Sequence, residues 1–425
     1  MTTRTLQGVR IVDMTEVWAG PMGTSLLGDL GADVVKVESF PRRSSITRAS
    51  LPGSADDAPW ERGALHHMAN RNKRNFTLNI RTDEGAEALR KLISEADVLV
   101  EGYSAGTIER LGFGWDAVRE LNPNLVMLSM PGWGGEGPYR GYVTLGSGLD
   151  STAGHAAMRG YPDRPLDEIP AILQTDATGA LAVVQAVLSG LFQREQTNQG
   201  VYIDMSQAEG FQWQLAAAIA EYTLNGRVPE RLGNMDPQIV PHGCYRANGG
   251  EATEVTTEPD EPSWVVIEAR TDAQWLGVAT AAGHPEWATL GHPWATVVGR
   301  LRARDEIDAV LTTHAATNTA EAIADALSEA GGIAAPVVHG TSFLSSPQFA
   351  ARDWLNAVGH RYMGVQLMPG FLWTVDPDAP TVDFPAGLLG EYNHEVLTEL
   401  GYTETEIAEF EDAGVIGNSY PGSDA

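Results

Sequence analysis

The sequence predicts an α/β fold with a doubly wound parallel sheet in a larger domain and a smaller α+β domain after it. Strand-like apolar runs alternate with helical patterns through the first 224 residues, which is typical of parallel sheets with crossover helices. The composition changes near residue 225, where a loop-rich stretch leads into patterns typical of antiparallel strands. The chain has 425 residues, too many for one ordinary hydrophobic core, so two domains are expected.

The larger domain is predicted to begin with residues 1–224, and its strands are short apolar runs. These runs lie at 9–14, 34–37, 76–80, 97–101, 124–130 and 201–205. The helical patterns between and after them lie at 22–30, 82–96, 105–111, 115–121, 177–192 and 208–224. This alternation places the strands parallel to one another, with helices on both faces of the sheet.

The smaller domain is predicted at 225–330, and the chain then returns to the larger domain at 331–425. Antiparallel strands are expected at 242–250 and 263–270. Helices are expected near 271–283, 303–313 and 318–329, and a strand at 335–338 begins the C-terminal part. Two charged helical patterns, at 390–400 and 405–412, are expected to lie at the surface.

Two loops are candidate binding segments. Parallel sheets bind ligands at the loops that follow their strands, which makes residues 15–21 the first candidate. This loop has no Gly-x-Gly-x-x-Gly sequence, so neither a nicotinamide nor a flavin nucleotide is expected. The second is the glycine-rich stretch 131–138, which lacks the Lys-Ser/Thr of a P-loop and is expected to be a turn or a mobile lid.

The net charge of the chain argues against some classes of binding partner. With 56 acidic and 28 basic residues the net charge is −28, which argues against nucleic acid because such affinity comes from phosphate neutralisation. A phosphate-bearing ligand therefore has to bind at a local group of basic residues. The densest such group is Arg71, Lys73, Arg74 and Arg81, and Arg42 and Arg43 form a second.

Cysteine content and hydropathy indicate a cytoplasmic protein. Cys244 is the one cysteine, so the chain forms no internal disulfide and no cysteine-based metal cluster, and a buried inert thiol is expected. No apolar run approaches 18 residues, which predicts no transmembrane helix. The N-terminal residues have no apolar signal core, so secretion is not expected.

Asp176 is the candidate for chemistry. It follows the apolar pair Ile172-Leu173 and precedes the long apolar helical pattern at 177–192, the place of a helix N-cap. A capping carboxylate accepts an N–H of the first turn and gains from the helix dipole. The alternative is a nucleophile that attacks an activated carbonyl and carries a covalent intermediate. The two interpretations are compatible because the same N–H groups serve both.

A series of motifs in the same order as in a known family extends over essentially the whole chain. The motifs are 8–21 (GVRIVDMTEVWAGP), 30–38 (LGADVVKVE), 72–74 (NKR) with Leu78, 96–101 (ADVLVE), 110–113 (RLGF), 121–123 (LNP), Asp176 with Gly179, 200–206 (GVYIDMS), 335–337 (APV), and 389–391 (LGE) with 395–397 (EVL). In these motifs the chain resembles the class III CoA-transferases, the family of formyl-CoA transferase, carnitine CoA-transferase and α-methylacyl-CoA racemase.

The resemblance implies an architecture and a ligand. It implies a Rossmann-like large domain formed by both chain ends, with the small α+β domain inserted between them. It also implies a homodimer whose two subunits interlock like links of a chain. The expected substrates are an acyl-CoA and a carboxylic acid, with coenzyme A held by the sheet and no metal, nicotinamide or flavin.

The resemblance also implies residue roles. Asp176 becomes the nucleophile, which passes through an acyl–aspartyl anhydride and an aspartyl–CoA thioester. The residues expected to contact CoA are Val17, Trp18 and Ala19 at the pantetheine and active site, Leu78 and Arg81 near the nucleotide, Gly102, Tyr103 and Arg110 after the strand 97–101, and Arg74 in the basic group. The family often has an arginine where this chain has Ser39, and Arg42 or Arg43 is a candidate to replace it.

The branch of the family is inferred from Gly146. Racemases of the family pair the aspartate with a histidine about 30 residues earlier, because two acid/base groups must flank the α-carbon. The matching position here is Gly146, and residues 145–150 contain no histidine, which favours CoA transfer over racemisation. Two alternatives stay open: a racemase, and the catalytic subunit of a heteromeric transferase. Trp18, Met130 and Trp133 favour an apolar or aromatic acid over oxalate.

Overall fold

The computed structural model divides the chain into two compact units. The first is formed by Met1–Ala156, Pro170–Val228 and Asp353–Ala425, and the second by Ala157–Ile169 and Pro229–Arg352. The residues that the structure describes are 4–41, 46–48, 58–170, 172–248, 263–338, 342–376 and 379–420. Arg42 and Arg43, the candidate replacements for the family arginine, lie outside these ranges.

The strands of the described residues belong to three sheets. In chain order they are β1 (Arg10–Met14), β2 (Asp33–Ser39), β3 (Lys73–Leu78), β4 (Val98–Glu101), β5 (Val126–Ser129), β6 (Val201–Asp204), β7 (His242–Arg246), β8 (Trp264–Glu268), β9 (Ile333–Pro336), β10 (Leu355–His360) and β11 (Gly364–Pro369). The first six form one sheet, β7–β9 a second, and β10 and β11 a hairpin.

The α-helices of the described residues range from one turn to 24 residues. In chain order they are α1 (Ala19–Asp29), α2 (Ala64–Ala69), α3 (Asp83–Ser94), α4 (Thr107–Arg110), α5 (Trp115–Leu121), α6 (Gly146–Thr152), α7 (His155–Met158), α8 (Gln174–Thr197), α9 (Gln207–Gln212), α10 (Ala216–Asn225), α11 (Asp272–Ala281), α12 (Val297–Arg302), α13 (Arg304–Ala315), α14 (Ala320–Glu329), α15 (Pro347–Ala351), α16 (Asn393–Glu399) and α17 (Glu404–Asp412). Short 3₁₀ turns lie at Ile46–Arg48, Pro59–Glu61, Leu166–Glu168, Trp213–Leu215, Pro285–Ala288 and Ser342–Ser345.

The large sheet is parallel throughout, with the strand order β3-β2-β1-β4-β5-β6. Val12 of β1 is paired with Val35 of β2 on one side and with Leu99 of β4 on the other. The order therefore reverses between β1 and β4, and open α/β sheets bind ligands at such a switch point. The predicted α/β class and parallel sheet are confirmed.

Both faces of this sheet are covered by helices, so the strands read as apolar runs. On one face, α1 and α8 pack over side chains such as Ile11 and Val126. On the other, α3 and α5 pack over side chains such as Val12 and Leu99. The two C-terminal helices bury one side against this second core through Val396, Leu397, Ile407 and Phe410, and most of their other residues are exposed, as expected for surface helices.

The second unit has its own antiparallel sheet and core. Strands β7, β8 and β9 pair in that order, and the core forms around the fully buried Trp275 of α11. Whereas the small domain was predicted to end at residue 330, this unit continues to Arg352. The strand expected at 335–338 is β9, which pairs with β8 and so belongs to this unit.

Among the described residues, one helix has the length and apolar composition of a membrane span, namely α8. The prediction from the sequence had found no such segment. One side of α8 is buried against the large sheet and α1 through Ala180, Val183 and Val187. Packing in the first unit therefore accounts for the buried side of α8, as in the core helix of a globular domain, while Leu181 and Phe192 on the same helix are exposed.

Candidate active site

A pocket of about 260 Å³ lies at the carboxyl ends of the central strands. Its walls include residues 15–17 after β1 and residues 102–104 after β4, the two strands between which the strand order reverses. Asp176 of α8 and Gly146 of α6 form another part of the wall. The candidate nucleophile therefore lies at the place where the topology predicts a ligand.

Asp176 is half-buried and belongs to the first turn of α8. The helix begins at Gln174 and its N-cap position is Leu173, which adopts φ 51°, so the prediction that Asp176 is the N-cap was wrong. The Asp176 carboxylate instead accepts a hydrogen bond from the Ala19 backbone N–H. Burial raises the pKa of Asp176 to about 6, and the negative charge of Asp150 acts in the same direction.

Close packing of α1 against α8 brings Ala19 to Asp176. A Cβ atom on Gly23 of α1 would lie 2.5 Å from Val183 Cβ, and one on Gly179 of α8 would lie 3.2 Å from Ala19 Cβ. Only glycine permits helices to approach this closely without displacing their neighbours. These two glycines thus set the position of the N–H that contacts the carboxylate.

Asp150 supplies the helix cap that the sequence assigned to Asp176. It is buried on α6, and its carboxylate oxygens accept the N–H groups of Gln174 at 3.2 Å and Thr175 at 2.9 Å. Asp150 was not among the predicted site residues. The sequence shows Asp150 as the acidic residue at the end of the otherwise uncharged segment 145–150. This pattern does not indicate which helix the carboxylate contacts.

Gly146 lies directly against the Asp176 carboxylate. A Cβ atom at position 146 would lie 1.6 Å from Asp176 Oδ2 and 3.3 Å from a methyl group of Leu173. The position that matches the racemase histidine therefore accommodates no side chain while Asp176 keeps this conformation. Leu145 and Leu149 flank the glycine and give this part of the pocket an apolar wall.

The loop between β1 and α1 contributes two of its three predicted residues to the pocket. Val17 and Ala19 line it, and Val17 has φ 70°, a strained conformation for a β-branched residue. Trp18 is not among the lining residues; it is the N-cap residue of α1, and its carbonyl accepts the Met22 N–H. Of the three residues that favoured an apolar acid, only Met130 lines the pocket.

A second pocket, of about 400 Å³, adjoins the first. Glu16 and Tyr103 line both pockets, so the two are neighbours along the edge of the sheet. The predicted residues Leu78 and Arg81 line the second pocket, and Gly102 lines the first. Arg110 lines neither; its guanidinium donates to Thr107 Oγ1 at 2.7 Å, and Thr107 itself lines the second pocket.

Arg74 does not join these residues, so its assignment to CoA binding is corrected. It lies at the amino end of β3, whereas the pockets lie at the carboxyl ends of the strands. Its guanidinium is engaged by Asp33, Glu395 and Glu399. An arginine held by three carboxylates contributes to the packing of β3 against α16 and is not available to a phosphate.

Two more residues of the basic group, Lys73 and Arg71, are buried in ion pairs. Lys73 is buried and its ammonium contacts the Asp13 carboxylate at 2.9 Å, and burial lowers its pKa to about 8. Arg71 is buried and donates to Asp29 at 2.7 Å. Only Arg81 of the four is exposed beside a pocket. Of this basic group, Arg81 therefore stays as the candidate for binding phosphate.

Two carboxylates hold the loops that follow β4 and β5. The Glu101 carboxylate accepts the Tyr103 N–H at 2.8 Å and the Ser129 hydroxyl, and burial raises its pKa to about 7. The Asp204 carboxylate accepts the Gly135 N–H at 2.9 Å, which anchors the glycine-rich loop as a turn.

Cys244 is half-buried and burial raises the pKa of its thiol.

A half-buried carboxylate with a raised pKa lies in a pocket at the switch point of the parallel sheet, next to a second pocket. This arrangement is typical of the ligand-binding site of an open α/β enzyme. The model of CoA-transferase family III matches residues 6–393, and the chain belongs to this family, whose enzymes move CoA to a carboxylate. The succinyl-CoA--D-citramalate CoA-transferase of Chloroflexus aurantiacus is 31% identical over 423 residues, covering 97% of this chain and 98% of the relative.

Two further comparisons agree with this assignment. The β subunit of the succinyl-CoA--L-malate CoA-transferase of the same organism is 30% identical, covering 98% of this chain and 99% of the relative. A crystal structure of a CAIB/BAIF family protein from Brucella suis is 28% identical, with a TM-score of 0.82, and covers 94% of this chain and 100% of that one. The resemblance stated from the sequence motifs is confirmed.

Proposed function

We propose that this chain transfers coenzyme A from an acyl-CoA to a free carboxylic acid, with Asp176 as the covalent nucleophile. The observation that carries the proposal is the position of Asp176, a half-buried carboxylate in the pocket at the switch point of the sheet. Family membership supplies the reaction class. The residue role rests on this geometry and on the match to the family's aspartate.

The proposed chemistry exchanges acyl groups in two symmetrical halves. The Asp176 carboxylate attacks the thioester carbonyl, the C–S bond breaks, and an acyl–aspartyl anhydride and CoA thiolate form. The thiolate attacks the aspartyl carbonyl, the donor acid leaves, and an aspartyl–CoA thioester remains. The acceptor carboxylate attacks the aspartyl carbonyl of this thioester, the C–S bond breaks, and a second acyl–aspartyl anhydride and CoA thiolate form. The thiolate then attacks the acyl carbonyl of the acceptor, and the C–O bond to the aspartate breaks to give the new acyl-CoA and the free Asp176 carboxylate. No net proton transfer is needed.

The residues around Asp176 suit this sequence. A carboxylate with a pKa of about 6 is ionised at neutral pH and more basic than an ordinary aspartate, which favours attack. The Ala19 N–H contacts one carboxylate oxygen and would also stabilise negative charge that develops there. The pocket that Asp176 lines together with Leu145, Gly146 and Leu149 is where the acyl group would lie.

The two adjoining pockets suit an elongated ligand. We assign the thioester end of CoA to the pocket of Asp176, with Val17, Ala19, Gly102 and Tyr103. We assign the nucleotide end to the second pocket, where Leu78 offers an apolar surface and Arg81 a charged donor for phosphate. Trp18 and Arg110 lie beside these pockets and are secondary candidates.

The proposal also covers the substrate acids, the oligomeric state and the cellular location of the protein. The relatives named above use succinyl-CoA with different acceptors, and one of them is a β subunit, so a second kind of subunit is an alternative to a homodimer. We favour a homodimer with interlocked subunits in the cytoplasm, with acyl-CoA and carboxylic acid as its ligands. The racemase alternative lacks a histidine at position 146 and is disfavoured.

Intact-mass spectrometry after mixing with single acyl-CoAs, without acceptor, tests the proposal. We expect an adduct of acyl or CoA mass that hydroxylamine removes and that maps to the peptide containing Asp176. The Asp176→Asn variant, of nearly the same shape, is the control and should form no adduct. An adduct on another residue would contradict the assignment. Deuterium uptake at the α-carbon of a branched acyl-CoA, with no adduct, would favour the racemase.

A further inference from the structure

Asp150 is a buried carboxylate that the proposed chemistry does not use. Its two oxygens accept the N–H groups of Gln174 and Thr175, at 3.2 and 2.9 Å. These N–H groups belong to the first turn of α8 and have no partner inside the helix. Leu173, at the N-cap position, has no side-chain acceptor. Asp150 therefore caps α8 from 24 residues away, in place of the usual local residue.

A second contact joins the same two helices. The Thr175 hydroxyl, on a fully buried residue, donates to the Gly146 carbonyl at 3.1 Å. Gly146 and Asp150 are one turn apart on α6, so this helix holds the first turn of α8 at two points. The residue that follows Thr175 is Asp176, whose Oδ2 lies against Gly146.

We propose that Asp150 is a positioning residue for the nucleophile: its buried carboxylate fixes the first turn of α8 so that Asp176 faces the pocket between Gly146 and Ala19. This inference rests on the proposed function, in which Asp176 reacts. It assigns to Asp150 two effects that can be separated, namely the geometry set by its hydrogen bonds and the field set by its negative charge.

The negative charge of Asp150 also acts on the pKa of the nucleophile. Burial is the largest cause of the raised pKa of Asp176, the Ala19 N–H of α1 opposes it, and the charge of Asp150 on α6 adds to it. Among the described residues that line the pocket, Glu16 on the loop after β1 is the charged residue besides Asp176. A more basic carboxylate is a stronger nucleophile, so the charge of Asp150 favours attack where Asp176 is ionised.

The Asp150→Asn variant tests the inference through a ¹³C NMR titration of carboxyl-labelled aspartate. The Asp176 resonance is assigned by its loss in Asp176→Asn. We expect a midpoint of about 6 in the wild type and a lower midpoint in Asp150→Asn. A fall of about half a pH unit would raise the ionised fraction at pH 5 by a factor of about two to three. Adduct formation at pH 8 should slow, because the amide cannot accept both N–H groups.

Two control variants separate geometry, charge and stability. Thr175→Val removes the hydroxyl contact to Gly146 but keeps the charge, so adduct formation should slow without a change in the titration midpoint. Thr403 caps α17 by accepting the Glu406 N–H. Thr403→Ala should therefore lower the Tm as a lost cap does, while the midpoint and the rate of adduct formation stay at wild-type values.

The outcomes are distinguishable. A lower Tm in Asp150→Asn, with an unchanged midpoint and unchanged adduct formation, would overturn the inference and leave Asp150 a purely structural cap. A second outcome is that the wild type forms no adduct, while the titration midpoint of Asp176 is lower in Asp150→Asn than in the wild type. This result would overturn the proposed chemistry and support the coupling of the two carboxylates. A lower midpoint together with slower adduct formation at pH 8 supports both.

Discussion

The raised pKa of Asp176, which suits the proposed chemistry, has a cost in stability. Burial raises its pKa to about 6 in the folded protein, whereas an exposed aspartate has a pKa of about 4. Between these values the folded state binds a proton that the unfolded state does not. Above pH 6 the carboxylate is ionised in both states and the folded state carries the full penalty of burying the charge. Such costs are common at active sites.

The Asp176→Asn variant should therefore be more stable than the wild type at pH 8, while losing adduct formation. The asparagine keeps an oxygen that accepts the Ala19 N–H and removes the buried charge. The advantage in Tm should shrink as the pH falls from 6 to 4, because the wild-type carboxyl group becomes protonated. Calorimetry across this range measures it, with Asp116→Asn, an exposed residue of α5, as the control. A lower Tm than wild type at pH 8 would contradict the argument.

Gly146 should matter for the reaction and not for the fold. In Gly146→Ala, the new Cβ would overlap Asp176 Oδ2, so the carboxylate must move. A displacement of about 1 Å can slow a positioned reaction by about 100-fold, and we expect at least that loss in adduct formation. The Tm should stay the same or rise, because alanine favours the helix over glycine by up to about 1 kcal/mol.

Gly148→Ala is the matched control for this prediction. It makes the same change two residues later on α6, where the nearest atom to a Cβ is the Thr144 hydroxyl, at 3.0 Å. A side-chain hydroxyl can rotate away, so this variant should form the adduct at close to the wild-type rate. Equal losses in the two variants would show that α6 as a whole, and not contact with Asp176, is responsible.

At the scale of elements, α2 and β10 bring buried histidines together. The rings of His67 on α2 and His360 on β10 lie 4.3 Å apart, and both residues are buried. Burial lowers the pKa of His66 and His67, and burial and His67 together lower that of His360 to about 4. Within the described residues, His66 Nε2, His67 Nδ1 and His360 Nε2 have no hydrogen-bond partner. These rings are therefore neutral in the folded protein.

This group should make the protein sensitive to mild acid. Below pH 6.5 the unfolded histidines bind protons that the folded ones do not, so stability is full above about pH 6.5 and falls as the pH decreases towards 4. Each histidine contributes up to about 1.4 kcal/mol per pH unit in this window. We expect the Tm of His360→Asn to depend less steeply on pH between 6.5 and 4.5 than that of the wild type.

The control for this prediction is His394→Asn, the same change at an exposed position of α16. Its Tm should follow the wild-type slope. His360→Asn should be somewhat less stable at pH 8, since it loses the ring contact with His67, so the slope and not the absolute Tm is the measurement. Parallel curves for all three proteins would exclude the buried histidines as the source of acid sensitivity.

The elements that the sequence predicted well are those with a local signal. Parallel strands buried on both faces give apolar runs, which located five of the six strands of the large sheet to within a few residues. β3 was placed three residues late because it begins with Lys73 and Arg74. Side chains alternate along a strand, so Lys73 enters the core to meet Asp13 while Arg74 meets Asp33. Neighbouring charges in the sequence thus have separate structural partners.

The parts of the site that the sequence missed depend on contacts between distant segments. The start of α8 was placed after Asp176 because Gln174 and Thr175 resemble a turn, and nothing nearby shows that Asp150 accepts their N–H groups. Gly146 was identified only as a missing histidine. Its contact with Asp176 arises from the packing of α6 on α8. The role of Asp176 as nucleophile was inferred from the family motif, since its position in the sequence alone favours a helix cap.

At the scale of the whole molecule, several large apolar side chains on and after α8 are exposed in the first unit. They include Phe192, Trp213 and Leu224, of which Trp213 is 85% and Leu224 81% exposed. Stable homodimers bury on the order of 2,000 Å² of surface or more, and their interfaces are more apolar than the rest of the surface. Burial of these side chains against a second copy of the chain is part of the proposal of a homodimer.

An interlocked homodimer makes a prediction that an ordinary dimer does not. Light scattering should give twice the chain mass of 45.6 kDa. In a mixture of tagged and untagged dimers, an ordinary pair exchanges subunits by dissociation, whereas interlocked chains exchange only when one of them unfolds. We therefore expect no mixed dimer under native conditions, and mixed dimers after both proteins are unfolded and refolded together.

Native exchange much faster than unfolding would exclude the interlocked arrangement while leaving a dimer, and a mass of one chain would exclude both. Because Asp176 and both pockets belong to the first unit, adduct formation by a monomer would show that the chemistry does not require the partner.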